Sequence, residues 1–78
     1  MKSDFVVKVG SVPNREELVA EIYYQYEQWA EISMEHKHLI IQLYPPLNAK
    51  YWEFSLDETL EALEKAKKKL LGLGGKRE

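Results

Sequence analysis

The sequence predicts an α+β domain: an antiparallel β-meander of four to five strands with one C-terminal helix packed on one face. Three observations predict it. Two central segments alternate apolar and polar residues with the two-residue period of half-buried strands. The hairpins between successive segments can be registered so that apolar side chains sit beside apolar ones on a single face. The C-terminal third switches to a helical period behind a capping box.

The first strand is expected over residues 4–10, where Phe5-Val6-Val7-Lys8-Val9 is rich in β-branched and aromatic residues and ends at Gly10-Ser11. Val12-Pro13-Asn14 reads as a turn. A second strand over 18–25 sets Leu18, Ala20, Ile22 and Tyr24 on one face and Val19, Glu21 and Tyr23 on the other. A third over 28–35 sets Ala30, Ile32 and Met34 inward, with Trp29, Glu31, Ser33 and Glu35 pointing away. The turn at Tyr26 lacks glycine, so three or more loop residues are expected there, with Ile22 beside Ile32 and Tyr24 beside Ala30.

A fourth strand over 38–44 follows a two-residue loop at His36-Lys37. That loop pairs Met34 with Leu39, Ile32 with Ile41 and Ala30 with Leu43. Pro45-Pro46-Leu47-Asn48 breaks the pattern. A short fifth strand over 51–54 pairs Leu43 with Trp52 and Ile41 with Phe54 in this reading.

In Ser55-Leu56-Asp57-Glu58 the serine hydroxyl caps the Glu58 amide and Glu58 reaches back, opening a helix over 56–71. Leu56, Leu60, Leu63, Ala66 or Lys67, and Leu70 recur at helical spacing. Acidic residues come early and lysines late, matching the macrodipole, and Glu61–Lys65 and Glu64–Lys68 are i,i+4 pairs. Gly72 is the expected C-cap, with a frayed tail over 72–78. Residues 1–78 form one domain in this reading.

From Phe54 to Gly72, FSLDETLEALEKAKKKLLG resembles the strand-to-helix ending of HicB-type antitoxins, which carry a similar S/T-x-x-E-A-L-x-x-A-K stretch after a β-meander. The remainder, including LVAEIYY, QWAEIS and LYPPLNAKYWEFSLDE, is similar in style to small bacterial proteins of immunity or antitoxin size. The resemblance implies a protein that neutralises a partner by binding it, and it carries no active site.

Composition narrows the function classes. The 78 residues hold 13 acidic and 11 basic side chains, a formal net charge of −2. That excludes a strongly basic nucleic-acid coat. A hydrophobic content of 45% and an aromatic content of 12% exclude a disordered tail. With no cysteine there is no disulfide scaffold, thiolate zinc site or cysteine nucleophile. The short apolar run at the N-terminus, flanked by charges, is neither a signal peptide nor a membrane span. A cytoplasmic protein without membrane attachment is expected. A core this small rarely supplies more than ~3–5 kcal/mol, which favours a homodimer.

Lys65, Lys67, Lys68 and Lys69 are an alternative nucleic-acid contact, with Tyr51 or Trp52 as stacking partner. However, a dipole-matched, solvated helix end explains them, and the acidic remainder of the chain repels phosphate. His36 and His38 form an H-x-H, but His36 falls in a turn and only glutamates could join them, so no metal is expected. Glu21, Glu31, Glu35 and Glu53 share an open sheet face without a cleft, which suits solubility better than acid–base chemistry. No phosphate loop, nucleophile elbow or Ser/His/Asp set is present, so neither enzymatic activity nor a cofactor is expected.

The outward aromatics carry the leading expectation. Tyr23, Trp29, Ile40, Tyr44 and Tyr51, rimmed by Glu31, form an apolar patch on a face that ordinarily faces water. The chain therefore reads as a protein-interaction module. Its expected partner is a second copy or another protein, with the acidic rim suited to a basic one.

Overall fold

A computed structural model describes residues 4–11 and 18–74. The predicted Val12-Pro13-Asn14 turn and the end of the tail, 75–78, lie outside the described residues. Four strands, β1 (Phe5–Gly10), β2 (Val19–Tyr24), β3 (Glu27–Glu35) and β4 (His38–Leu43), form one antiparallel sheet in chain order. The helix α1 (Leu56–Gly74) packs on one side of it. The predicted α+β meander is the observed fold.

The β2–β3 and β3–β4 hairpins each turn on two residues held at positive φ: Gln25 (51°) and Tyr26 (74°), then His36 (51°) and Lys37 (70°). Two consecutive positive φ values give the turn whose twist matches that of paired strands. The Tyr26 turn is thus tighter than expected despite lacking glycine. It sets Tyr24 opposite Glu27. Continued without interruption, that register would place Ala30 and Ile32 on the solvent side. A one-residue bulge corrects it: Tyr23 faces Gln28 while Ile22 faces Ala30, so Trp29 is the extra residue. Ala20 then pairs with Ile32 and Ile22 with Ala30, two residues from the expected register but on the expected face. The β3–β4 register, with Ile32 opposite Ile41 and Met34 opposite Leu39, is as predicted.

The bulge also overturns the outward placement of Trp29. Its indole swings to the inner face, is only 6% exposed, and lies 5.8 Å from the Phe5 ring and 5.0 Å from that of Phe54. Phe54 stands at the centre of this cluster, with Tyr24 at 4.7 Å, Phe5 at 5.0 Å and Trp52 at 5.3 Å. Such tilted and edge-on pairs add to the stabilisation from area burial alone.

Residues 51–54 form no strand. Pro45 and Pro46 remove two consecutive donors after β4, so the ladder stops there. The Tyr44 N–H still donates to the Trp29 carbonyl at 2.9 Å, and the Trp52 indole N–H donates to the Tyr44 carbonyl at 2.7 Å. The Leu47 N–H donates to the Glu27 carboxylate at 2.6 Å. Held by these bonds, the chain leads Phe54 against Phe5 and Tyr24 of β1 and β2, instead of pairing with β4.

Ser55 caps α1, its Oγ accepting from the Glu58 N–H at 3.3 Å. The Glu64–Lys68 pair forms at 3.9 Å. Gly72 lies inside the helix without positive φ, so the predicted cap there is replaced by continuation to Gly74. The buried stripe is Ala62, Ala66 and Leu70, set over β1 and β2. Alanines at the contact let the helix approach the sheet closely. Leu56 and Leu60, expected in that stripe, are 70% and 54% exposed.

Candidate interaction surface

Of the residues predicted to form an outward patch, the structure joins Glu31 to Tyr44 and keeps Tyr23 and Ile40 on the predicted face, but takes Trp29 and Tyr51 out of it. Trp29 is in the core, as described above. Glu31, expected at an exposed rim, is buried at 8% exposure, and its Oε1 accepts from the Tyr44 hydroxyl at 3.1 Å. Val19 and Ser33, opposite one another on the same face, are buried as well. Tyr23 is half-buried; its hydroxyl donates to Glu21 at 3.2 Å and the Lys8 ammonium sits 5.3 Å from its ring centroid. Partial burial, then the Glu21 charge and hydrogen bond, raise the Tyr23 pKa above the ordinary phenol value. Tyr51 is exposed, but it belongs to the connection after β4 and not to the sheet. Only Ile40 remains an exposed apolar residue of β4 on the predicted side.

The lysines do not converge. At 100° per residue, Lys65 and Lys69 flank the buried stripe on the β1 side, Lys68 points away from the sheet, and Lys67 lies on the opposite flank. Lys65 borders a concavity of about 110 Å³ with Phe5, Glu58 and Glu61, whereas Lys67 borders a different one. No placement here favours a phosphate track. Among the described residues no three His, Cys, Asp or Glu side chains group as metal ligands. No helix among them is long and apolar enough to cross a membrane.

The apolar surface that does form lies on the other side of the sheet. The helix covers β1 and β2, touches β3, and makes no close backbone contact with β4. Every residue of β4 is exposed. Leu39, Ile41 and Leu43, facing the helix side, keep 36%, 44% and 65% of their surface open. The predicted inner face is therefore only half covered. Across from it stands a second apolar stripe on α1, formed by Leu56, Leu60 and Leu63, turned about 60–120° from Ala66. Between strand and stripe runs an open groove of about 390 Å³, floored by Ile32 and Ile41 and walled by Leu60 and Leu63.

The groove follows from how one helix divides its leucines and alanines. A helix about 10 Å across spans two strands spaced about 4.8 Å apart. The small residues select β1 and β2 as its seat, and the leucine flank is left beside the gap. The exposed leucines and isoleucine on this side amount to apolar surface on the order of 500 Å², the size of the largest apolar patch on a typical monomer, which is often functional. Sequence periodicity merged the two stripes into one. The distinguishing signal was Ala62 and Ala66, four apart, beside Leu56 and Leu60, also four apart.

No family model, curated protein or solved structure matches this chain.

Proposed function

We propose that this chain is a non-enzymatic protein-interaction module that acts as a homodimer, docking through the helix-side face of β4. The observation that supports this reading is the uncovered apolar strand beside the leucine flank of α1. A domain this small gains most from covering such a face, because its own core supplies little stability. The resemblance of residues 54–72 to HicB-type antitoxins extends the proposal to an antitoxin- or immunity-like use, in which the dimer occludes another protein.

Sedimentation of the purified chain over a concentration range tests the reading. The wild type is expected to sediment as a dimer at micromolar concentration. Leu43→Asp, at a largely exposed position, should weaken the dimer by tenfold or more while leaving the circular dichroism spectrum unchanged. A wild type that stays monomeric at every concentration removes the homodimer, and an unaffected dimer in Leu43→Asp removes this face.

A further inference from the structure

We propose that a second copy of this chain adds to β4 as an antiparallel strand, about a twofold axis through Ile41, continuing the sheet from one copy into the other. The proposal rests on the preceding reading and specifies its geometry.

The first argument is the direction of the main-chain groups. In the β3–β4 hairpin the two-residue turn closes on Glu35 and His38 as a hydrogen-bonded pair. Bonded and non-bonded pairs then alternate, so His38, Ile40 and Gln42 bond to β3. The Tyr44 N–H donating to Trp29 continues that phase. The N–H and C=O groups of Leu39, Ile41 and Leu43 therefore point to the open edge, because β4 ends the sheet.

The second argument is symmetry. An antiparallel pair related by a twofold axis has that axis normal to the sheet, so opposed residues lie on the same face. Their residue numbers must then sum to an even value. Centred on Ile41, the pairing sets Ile41 against its own counterpart and Leu39 against Leu43 of the second copy. These are the outward-bonding residues, and they are the apolar residues of the helix-side face. On the other face Ile40 meets Gln42. Between His38 and Leu43 there is no Asp, Glu, Lys or Arg to repel its symmetry mate. Moving the axis to Gln42 would set Leu39 against Pro45, which has no N–H. Moving it to Ile40 would set Leu43 against Lys37, in the turn.

The third argument concerns the alternative way for two copies to meet, with the helix of each laid on the open half-sheet of the other. That would press the back of α1 onto apolar strand. The back carries Asp57, Glu61, Glu64 and Lys68, all exposed, and burying such charges without partners is strongly unfavourable. Strand addition leaves them in water and satisfies the edge.

The absence of cysteine makes the register testable in the purified full chain. Ile41→Cys should cross-link to its counterpart on mild oxidation, or with a short bis-maleimide, because bonded pairs stand about 5.5 Å apart between Cα atoms. In Leu39→Cys the two thiols are displaced by four residues, about 13 Å, and should link at least tenfold more slowly. Ile41→Pro removes an N–H that bonds nothing within one copy. It should keep the circular dichroism spectrum and lose the dimer.

Equal cross-linking at 39 and 41, or no link at 41 while the wild type sediments as a dimer, overturns strand addition and leaves the homodimer reading standing. A dimer that survives Ile41→Pro does the same. A monomeric wild type overturns both.

Discussion

The two edges of the sheet meet solvent differently. At β1, Phe5, Val7 and Val9 point toward the helix and are partly covered, and Lys8 places a charge in mid-strand. At β4, Leu39, Ile41 and Leu43 stay 36%, 44% and 65% exposed, and no acidic, lysine or arginine side chain interrupts the strand. Charges on edge strands discourage pairing with other chains, and their absence permits it. One edge is thus protected and the other is open. The difference originates in α1, whose alanine stripe binds it to the β1–β2 half and whose leucine flank borders the half it leaves bare.

Substitutions in the two halves should separate stability from association. Ile22, fully buried under the helix, is expected to cost roughly 2–5 kcal/mol when changed to alanine, measured by urea denaturation at fixed protein concentration. Leu43→Asp, described above, should leave the stability of the isolated subunit within about 0.5 kcal/mol. If the two variants destabilise the subunit equally, the halves are not distinct.

A smaller effect is expected at the hairpin tip of the open half. His36 and Lys37 occupy positive φ, where a non-glycine residue is strained by roughly 1–2 kcal/mol. Replacing them with Asn-Gly should stabilise the fold by about 1 kcal/mol without altering the β3–β4 register. A destabilised variant in the same denaturation experiment would show that these side chains contribute more than their backbone costs.

The smallest expected effect concerns Tyr23 on the far face of the covered half. Its raised pKa means that the folded chain holds the phenolic proton more tightly than the unfolded chain does. Its contribution is full below the unfolded phenol value, near pH 10, and is lost as pH rises through the higher folded value. Tyr23→Phe should therefore lose less stability between pH 9 and 11 than the wild type. An identical alkaline decline in both proteins would contradict the Glu21–Tyr23 contact as its source.

Much of the fold was legible in the sequence because it depends on local signals. The alternation in 18–24 and 30–34, the His36-Lys37 turn and the Ser55 cap each specify an element within a few residues. What was not legible depends on competition between distant groups. The Gln25-Tyr26 turn imposes one strand parity and the apolar set Ala30, Ile32 and Met34 demands the other, so a bulge is required that neither segment announces. The predicted outward patch failed for that reason at Trp29. It failed at Tyr51 because residues 51–54 are held by side-chain contacts across the sheet and not by a ladder. The open groove was missed because helical spacing alone does not say which of two stripes meets the sheet.

The bulge has a consequence for how this chain tolerates changes in length. In an unbroken ladder, removing one residue inverts every side chain beyond it up to the next turn. Removing residue 29 would invert none, since Ala30 would follow Gln28 in regular alternation, each keeping its place opposite Ile22 and Tyr23 respectively. The hairpin would lose an indole from its centre and keep both faces. Position 29 is thus a site where the strand alternation survives the loss of a single residue, and the aromatic cluster is built on that extra residue.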